Sequence, residues 1–302
     1  MIPKAKELKL IAIYLYICDV YDSKLKYTSH RFSNNNHPEF TDQEVLTIYL
    51  FAMHEEHKFK IKQIYNFTHD YLYSWFPKLP SYEAFNMRLN RLSEAFRTLA
   101  VSILETCRSS DCHLNESLLD SMPIITCSGK RKGKVARELT DKGFCSTKSM
   151  YYYGLKLHAL GYRRLKKLPY PEQLVLSAAS ENDLNVFKQE WAGIENRQFF
   201  GDKIYLDHDF FLSMIETNNS TMLTPVKGIK GLPEVIKMFD KAANDLYSTA
   251  VSVVRQPIES LFNWLIEKTD IQRASKVRST KGLLVHVFGR IAAAYIFLIF
   301  NP

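Results

Sequence analysis

The chain has no CxxC pair, no internal repeat, no low-complexity segment and no apolar run longer than ten residues. Its five cysteines (Cys18, Cys107, Cys112, Cys127 and Cys145) are odd in number, which fits reduced thiols and not a disulfide framework. Cys107, Cys112 and His113 have no fourth ligand at a useful spacing, so a structural zinc site is not expected. His54 and His57 are three residues apart, not the four a zinc-protease helix needs, and read as a polar helix surface. The longest apolar run, Ile291–Phe300, falls short of the roughly 20 residues of a membrane span and reads as a buried terminal helix. The N-terminus lacks the apolar stretch and small-residue cleavage site of a signal peptide. A soluble, cytoplasmic protein without a membrane partner is expected. With 46% hydrophobic and 24% charged residues, a disordered or collagen-like chain is also excluded.

What is present begins with charge. The 302 residues carry a formal charge of +8. Residues 130–167 hold twelve basic residues against Glu138 and Asp141, a local charge of +10, so the other 264 residues sum to −2. Charge concentrated in this way suggests a polyanion-binding surface. Its two parts are a Gly-containing segment (Lys130, Arg131, Lys132, Lys134, Arg137) and a turn (Arg163, Arg164, Lys166, Lys167).

The first 112 residues read as a helical domain. Pro3–Tyr21 is amphipathic, 29–38 reads as a loop, and Thr41-Asp42-Gln43-Glu44 is a capping box opening a helix to about His54. Ser81 caps one helix with Tyr82, Phe85, Leu89, Leu92, Phe96 and Leu99 in phase. Its other face carries Arg88 and Arg91, candidates for DNA contact.

The pattern then changes. Strands are expected at Leu118–Ile124, Tyr152–Leu160, Gln173–Ala179, Gln198–Gly201 and Thr221–Val226. Helices are expected at Asn182–Trp191, Asp209–Glu216 and from Leu232 to Phe300. This second domain, 113–302, is α/β.

Three acidic residues stand out by placement. Asp120 lies within an apolar strand, Asp202 follows the fourth strand, and Glu259 lies beside the Ile258, Leu261, Phe262 and Leu265 face of a helix. A carboxylate in an apolar strand is costly unless paired or metal-bound. Carboxylate oxygens suit Mg²⁺ or Mn²⁺, and two such ions can hold the attacking and leaving oxygens of a phosphoryl displacement. Asp207 and Asp209 are rivals of Asp202, and Glu259 could instead pair with Arg255 four residues earlier.

At these residues the chain resembles a bacterial insertion-sequence transposase of the DDE class. The segments that carry the likeness are LLDSMPI (118–124), DKGFCSTK (141–148), YYGLKLHA (152–159), ASEND (179–183), FGDKIY (200–205), RQPIESLF (255–262) and KVRSTKGL (276–283), in the family's order. The resemblance implies an RNase H-like mixed five-stranded sheet flanked by helices, after an all-helical N-terminal DNA-binding domain. It implies Asp120, Asp202 and Glu259 as the catalytic ligands of two Mg²⁺ ions, with no small-molecule cofactor. It also implies double-stranded DNA as substrate, both terminal inverted repeats and target, and a homodimer on DNA in the bacterial nucleoid. Arg255 and Glu259 keep the R-x₃-E part of the family signature. Ser252 and Ile266 stand at its tyrosine and lysine positions, with Lys268 or Asn263 as substitutes for the lysine. DNA phosphates would meet the two basic segments, Arg273, Lys276, Arg278 and Lys281. The competing expectations are a DNA-binding protein that has lost catalysis, and an RNase H-like nuclease that cuts without joining.

Overall fold

A computed structural model of the chain describes residues 2–29, 38–226 and 234–300. The loop expected over 29–38 lies, apart from its ends, outside the described residues. The chain divides into two units: residues 1–107 with 265–302, and residues 108–264.

Unit 1 begins with helices α1 (Lys4–Val20), α2 (Lys26–Ser29), α3 (Asp42–Glu56), α4 (Ile61–Tyr71), α5 (Tyr82–Arg91) and α6 (Ser93–Thr106). The capping box forms: the Glu44 N–H donates to the Thr41 hydroxyl at 3.2 Å, and the Thr41 N–H donates to the Glu44 carboxylate. α3 is buried from Val45 to Met53 and is the hub of this unit, packed by α1 and α4. The single helix expected after Ser81 is two, broken at Leu92 (φ −87°, ψ 16°). Both halves keep the apolar phase, so the periodicity could not reveal the break. His54 also departs from expectation. It is buried, stacked on Phe297 at 3.9 Å, with Nδ1 2.7 Å from Glu55.

Unit 2 is mixed α/β around a six-stranded sheet: β1 (His113–Ser128), β2 (Asp141–Cys145), β3 (Met150–Arg163), β4 (Tyr170–Ala178), β5 (Gln198–Phe200) and β6 (Thr221–Leu223). The order is β2-β3-β1-β5-β6, with β4 following β2 as a partner of β3. The pairs of β3 with β1, β2 and β4 are antiparallel, and β1-β5 and β5-β6 are parallel. Five strands were expected. The sixth, β2, is a five-residue segment whose polar Asp141 and Lys142 conceal it in the pattern. Gly154 allows the close approach of β1 and β3, since a Cβ there would lie 1.9 Å from the Ile124 carbonyl oxygen. Helix α7 (Asp183–Glu190) lies between β4 and β5 and α8 (His208–Asn218) between β5 and β6; α9 (Glu234–Arg255) follows β6, then α10 (Pro257–Thr269), which carries the chain out of this unit. Phe187 and Trp191 pack with Leu119, Leu160 and Phe199 in an apolar core on the α7 face.

The chain ends with α11 (Thr280–Leu284), a π-helical turn (Val285–Gly289) and α12 (Arg290–Phe300). The expected division at residue 112 assigns these residues to the second domain, whereas in the structure they pack with the N-terminal helices. The cause is physical: α12 is buried from Arg290 to Ile296, and a helix apolar all round needs neighbours on every side, here α3 and α6. Thr280–Phe300 is also long and apolar enough to cross a membrane, but 67% of its most apolar stretch is buried in the protein.

Candidate active site

β1 presents its residues alternately to two faces. Leu119 joins the core beneath α7, and the Ser121 hydroxyl donates to Asp183 at 2.8 Å on the same side. Asp120 lies opposite Ala159 of β3 and meets Arg255, the last residue of α9. Gln256 separates α9 from α10, and Pro257 opens α10 at the first helical position, where no N–H is required. This junction brings Arg255 and Glu259 together four residues apart.

Arg255 joins two of the three expected carboxylates. Its Nη1 donates to Asp120 Oδ2 at 2.9 Å and its Nη2 to Glu259 Oε1 at 2.6 Å. Its side chain is 15% exposed, and its charge is stabilised by Asp120 first, then Glu259 and Asp202. Asp120 Oδ1 accepts from the Ser121 N–H at 2.8 Å. Burial pushes the Asp120 carboxyl up to about 6, with Glu259 and Asp183 adding to the rise, while the Ser121 N–H and Arg255 oppose it. Asp202 lies exposed after β5 and accepts from the Lys203 N–H at 2.5 Å. Tyr205 is buried beside these acids with no hydrogen-bond partner for its hydroxyl, and burial followed by the charges of Asp183, Asp120 and Asp202 raises its pKa well above 10.

The rivals of Asp202 are placed elsewhere. Asp207 caps α8 by accepting from the Phe210 N–H and pairs with Lys188 at 2.6 Å. Asp209 is an exposed residue of α8. The pairing of Glu259 with Arg255 is present, but Arg255 reaches Asp120 as well. Among the described residues no group of three or more His, Cys, Asp or Glu side chains is close enough to hold a metal. The donors that converge on Arg255 are all carboxylate oxygens, the chemistry a hard divalent cation takes. Here the guanidinium is the cation shared by Asp120 and Glu259.

A second acidic cluster lies across the sheet. Asp183, 8% exposed, accepts from Lys156 Nζ and the Ser121 hydroxyl, each at 2.8 Å. His158 is fully buried and its Nε2 is 2.8 Å from the Ser177 hydroxyl. Burial lowers its pKa to about 4. Lys156 thus pairs with Asp183, and His158, bonded to Ser177, has its Nδ1 4.0 Å from that same acid and not on Asp120. The sequence signal was there: both lie on the polar face of β3, ahead of an aspartate that opens α7.

The basic residues divide sharply. Lys130, Arg131, Lys132, Lys134 and Arg137 are exposed and make no ion pair among the described residues. Arg163 is paired with Glu116, while Arg164 (2.8 Å) and Lys167 (2.7 Å) share Asp111. Those two cations and Ser109, Arg164 foremost, hold the Asp111 carboxyl far below the usual carboxylate range. In unit 1, Arg88 is 12% exposed and donates to Asp42 at 3.3 Å, so its role is structural, whereas Arg91 is exposed. Lys268 lies 3.7 Å from Glu267 and over the Phe297 ring, and Lys276 and Arg278 are exposed.

No protein-family model, curated protein or solved structure matches this chain.

Proposed function

We propose that the protein is a DNA transposase of the DDE class, cutting and joining phosphodiester bonds at carboxylates Asp120, Asp202 and Glu259. The observation that carries this reading is the convergence of Asp120 and Glu259, 139 positions apart in the chain, on one guanidinium whose charge also senses Asp202. An RNase H-like core is supported by the sheet order, with antiparallel strands on one side of β1 and parallel strands on the other. Asp120, Asp202 and Glu259 would hold Mg²⁺ or Mn²⁺, two ions per site. Bound there, the metal supplies an activated oxygen nucleophile and charge stabilisation for the leaving 3′-oxygen.

The chain's own residues do the rest. Asp120 is fixed by the Ser121 N–H and the rigid β1 ladder, so its carboxylate is oriented in advance. Arg255 keeps two like charges together and is positioned to face a phosphate when it leaves them. The unpaired cations from Lys130 to Arg137 neutralise phosphates and set the register of double-stranded DNA. Synapsis of two element ends requires a homodimer on DNA, in the cytoplasm of a bacterium.

The test is Mg²⁺-dependent cleavage and strand transfer on a plasmid carrying short inverted repeats, comparing the natural protein with Asp120→Ala. Joining that the substitution abolishes supports the reading. Cutting without joining would assign an RNase H-like nuclease, and salt-sensitive binding without chemistry would assign a DNA-binding protein only.

A further inference from the structure

Unit 1 contains a cavity of about 570 Å³ whose lining residues all belong to that unit. Its size falls within the roughly 300–1,000 Å³ of small-molecule sites. Three features define its chemistry. The walls are aromatic and aliphatic, with Phe59, Tyr82 and Val277. The rim is cationic: Lys276 and Arg278 are exposed, and Arg278 is steadied by donating from Nη1 to the Ser275 and Val277 carbonyls at 3.0 and 2.7 Å. Lys60, Lys62 and Arg273 also line the cavity, with Asp270, which lies 3.8 Å from Arg273, as its acid.

The third feature is polar and buried. Arg290, 6% exposed, lines the cavity and makes no ion pair among the described residues. Its Nη1 and Nη2 donate to the Thr269 and Phe59 carbonyls, and its Nε has no partner. Asn90 Oδ1 is likewise buried without a partner, while the Asn90 amide nitrogen reaches Asn86 at 3.5 Å. The charge of Asp270 acts on Arg290, but a buried Nε–H without an acceptor and a buried acceptor without a donor are both costly, and one ligand can answer both.

That ligand must carry negative charge, a flat apolar body and an N–H donor. A nucleotide has all three: phosphate, base faces and a base N–H donor, the exocyclic amino group in adenine, cytosine and guanine or N3–H in thymine. In a duplex those faces are stacked, so only an unpaired nucleotide presents a base face and an N–H together. We propose that this cavity binds one unpaired nucleotide of a DNA strand, with its phosphate on the cations and its base between the apolar walls. This rests on the DNA-binding part of the reading above and is independent of the carboxylates.

The experiment is fluorescence anisotropy of the full chain in chelator, with labelled duplexes that are blunt or carry a short unpaired adenine or thymine tail. The adenine-tailed duplex is expected to bind about tenfold tighter than the blunt one, the scale of one well-held base. The exposed pair Lys276→Ala and Arg278→Ala, with an unchanged melting temperature as the check on folding, brings that ratio to about one. Asn90→Leu, which removes the acceptor for a base N–H, lowers the tail advantage for adenine and thymine tails alike. Equal binding of tailed and blunt duplexes, or a tail advantage that survives the double substitution, overturns the proposal. So does binding of dAMP alone with no tail advantage, which would mark a free-nucleotide site. Because the chelator removes divalent metal, loss of tail preference is separable from loss of cleavage, which would count against the carboxylate reading.

Discussion

Asp120 and Asp183 lie on opposite faces of one sheet, and each is bonded to a cation at under 3 Å. Their surroundings differ. Asp183 is answered locally: Lys156 from β3 and Ser121 from β1 take both oxygens, and it opens α7. Asp120 is answered by a residue 135 positions away that a second carboxylate shares, and burial leaves its carboxyl raised. The comparison separates an acid paired with its own lysine from one whose arginine is shared with a second carboxylate. Satisfied pairing reads as structure, and incomplete compensation reads as a site.

The largest effect that would sharpen this contrast is on chemistry. Asp120→Asn keeps the shape of the side chain and removes its charge, so Mg²⁺-dependent cleavage should fall to the detection limit while the melting temperature holds or rises. Comparable activity in the variant would break the comparison at its first member.

Asp183→Ala should do the reverse. It leaves the partly buried Lys156 ammonium ion with only the Glu181 carbonyl, a loss of about 1–3 kcal/mol, readable in urea unfolding of the chain. Any loss of cleavage should track the unfolded fraction. A catalytic defect in fully folded protein would show that Asp183 belongs to the site.

A smaller effect concerns pH. His158 is held neutral, with its folded pKa lowered to about 4 from the unfolded value of 6.5. The unfolded chain therefore binds a proton there that the folded one refuses. The stability this group contributes is complete above pH 6.5 and is lost as pH falls from 6.5 towards 4, by about 3 kcal/mol. Asp120 works oppositely, since its raised pKa makes the folded state gain stability as pH falls through 6. Thermal melts from pH 7 to 4 should therefore show a steeper acid loss in Asp120→Asn than in the natural protein, and a shallower one in His158→Gln. Parallel curves for all three proteins would contradict both assignments.

The smallest effects carry the same distinction to the basic segments. Substituting Lys130 and Arg131 with alanine should weaken DNA binding at every sequence and lower the salt slope by about one for each phosphate no longer neutralised. Arg164→Ala, which removes a cation already committed to Asp111, should change that slope less and instead loosen the turn. An equal loss from both substitutions would show that ion pairing does not sort these charges.

Local pattern made much of the molecule legible. The Thr41 capping box, the alternation of β3, the strand bearing Asp120 and the buried face beside Glu259 all follow from spacing, because period and caps act within a few residues. β2 was not legible, being short and polar and existing only through its pairing with β3. Nor was the break at Leu92, which preserves the apolar phase.

By itself the sequence determined which residues could carry charge into apolar surroundings: Asp120 in a strand, Asp202 after one, Glu259 on a helix, and the +10 between residues 130 and 167. Only the tertiary structure decided which of those charges are answered. It set Arg164 on Asp111 and Lys156 on Asp183, left Lys130–Arg137 open, and joined Asp120 to Glu259 through Arg255. It also returned 265–302 to the N-terminal helices. The reason is range. Hydrophobic period is a property of neighbours in the chain, as is the Arg255–Glu259 pair, whereas the pairs of Lys156 with Asp183 and Arg255 with Asp120 join partners 27 and 135 positions apart, whose meeting is set by packing.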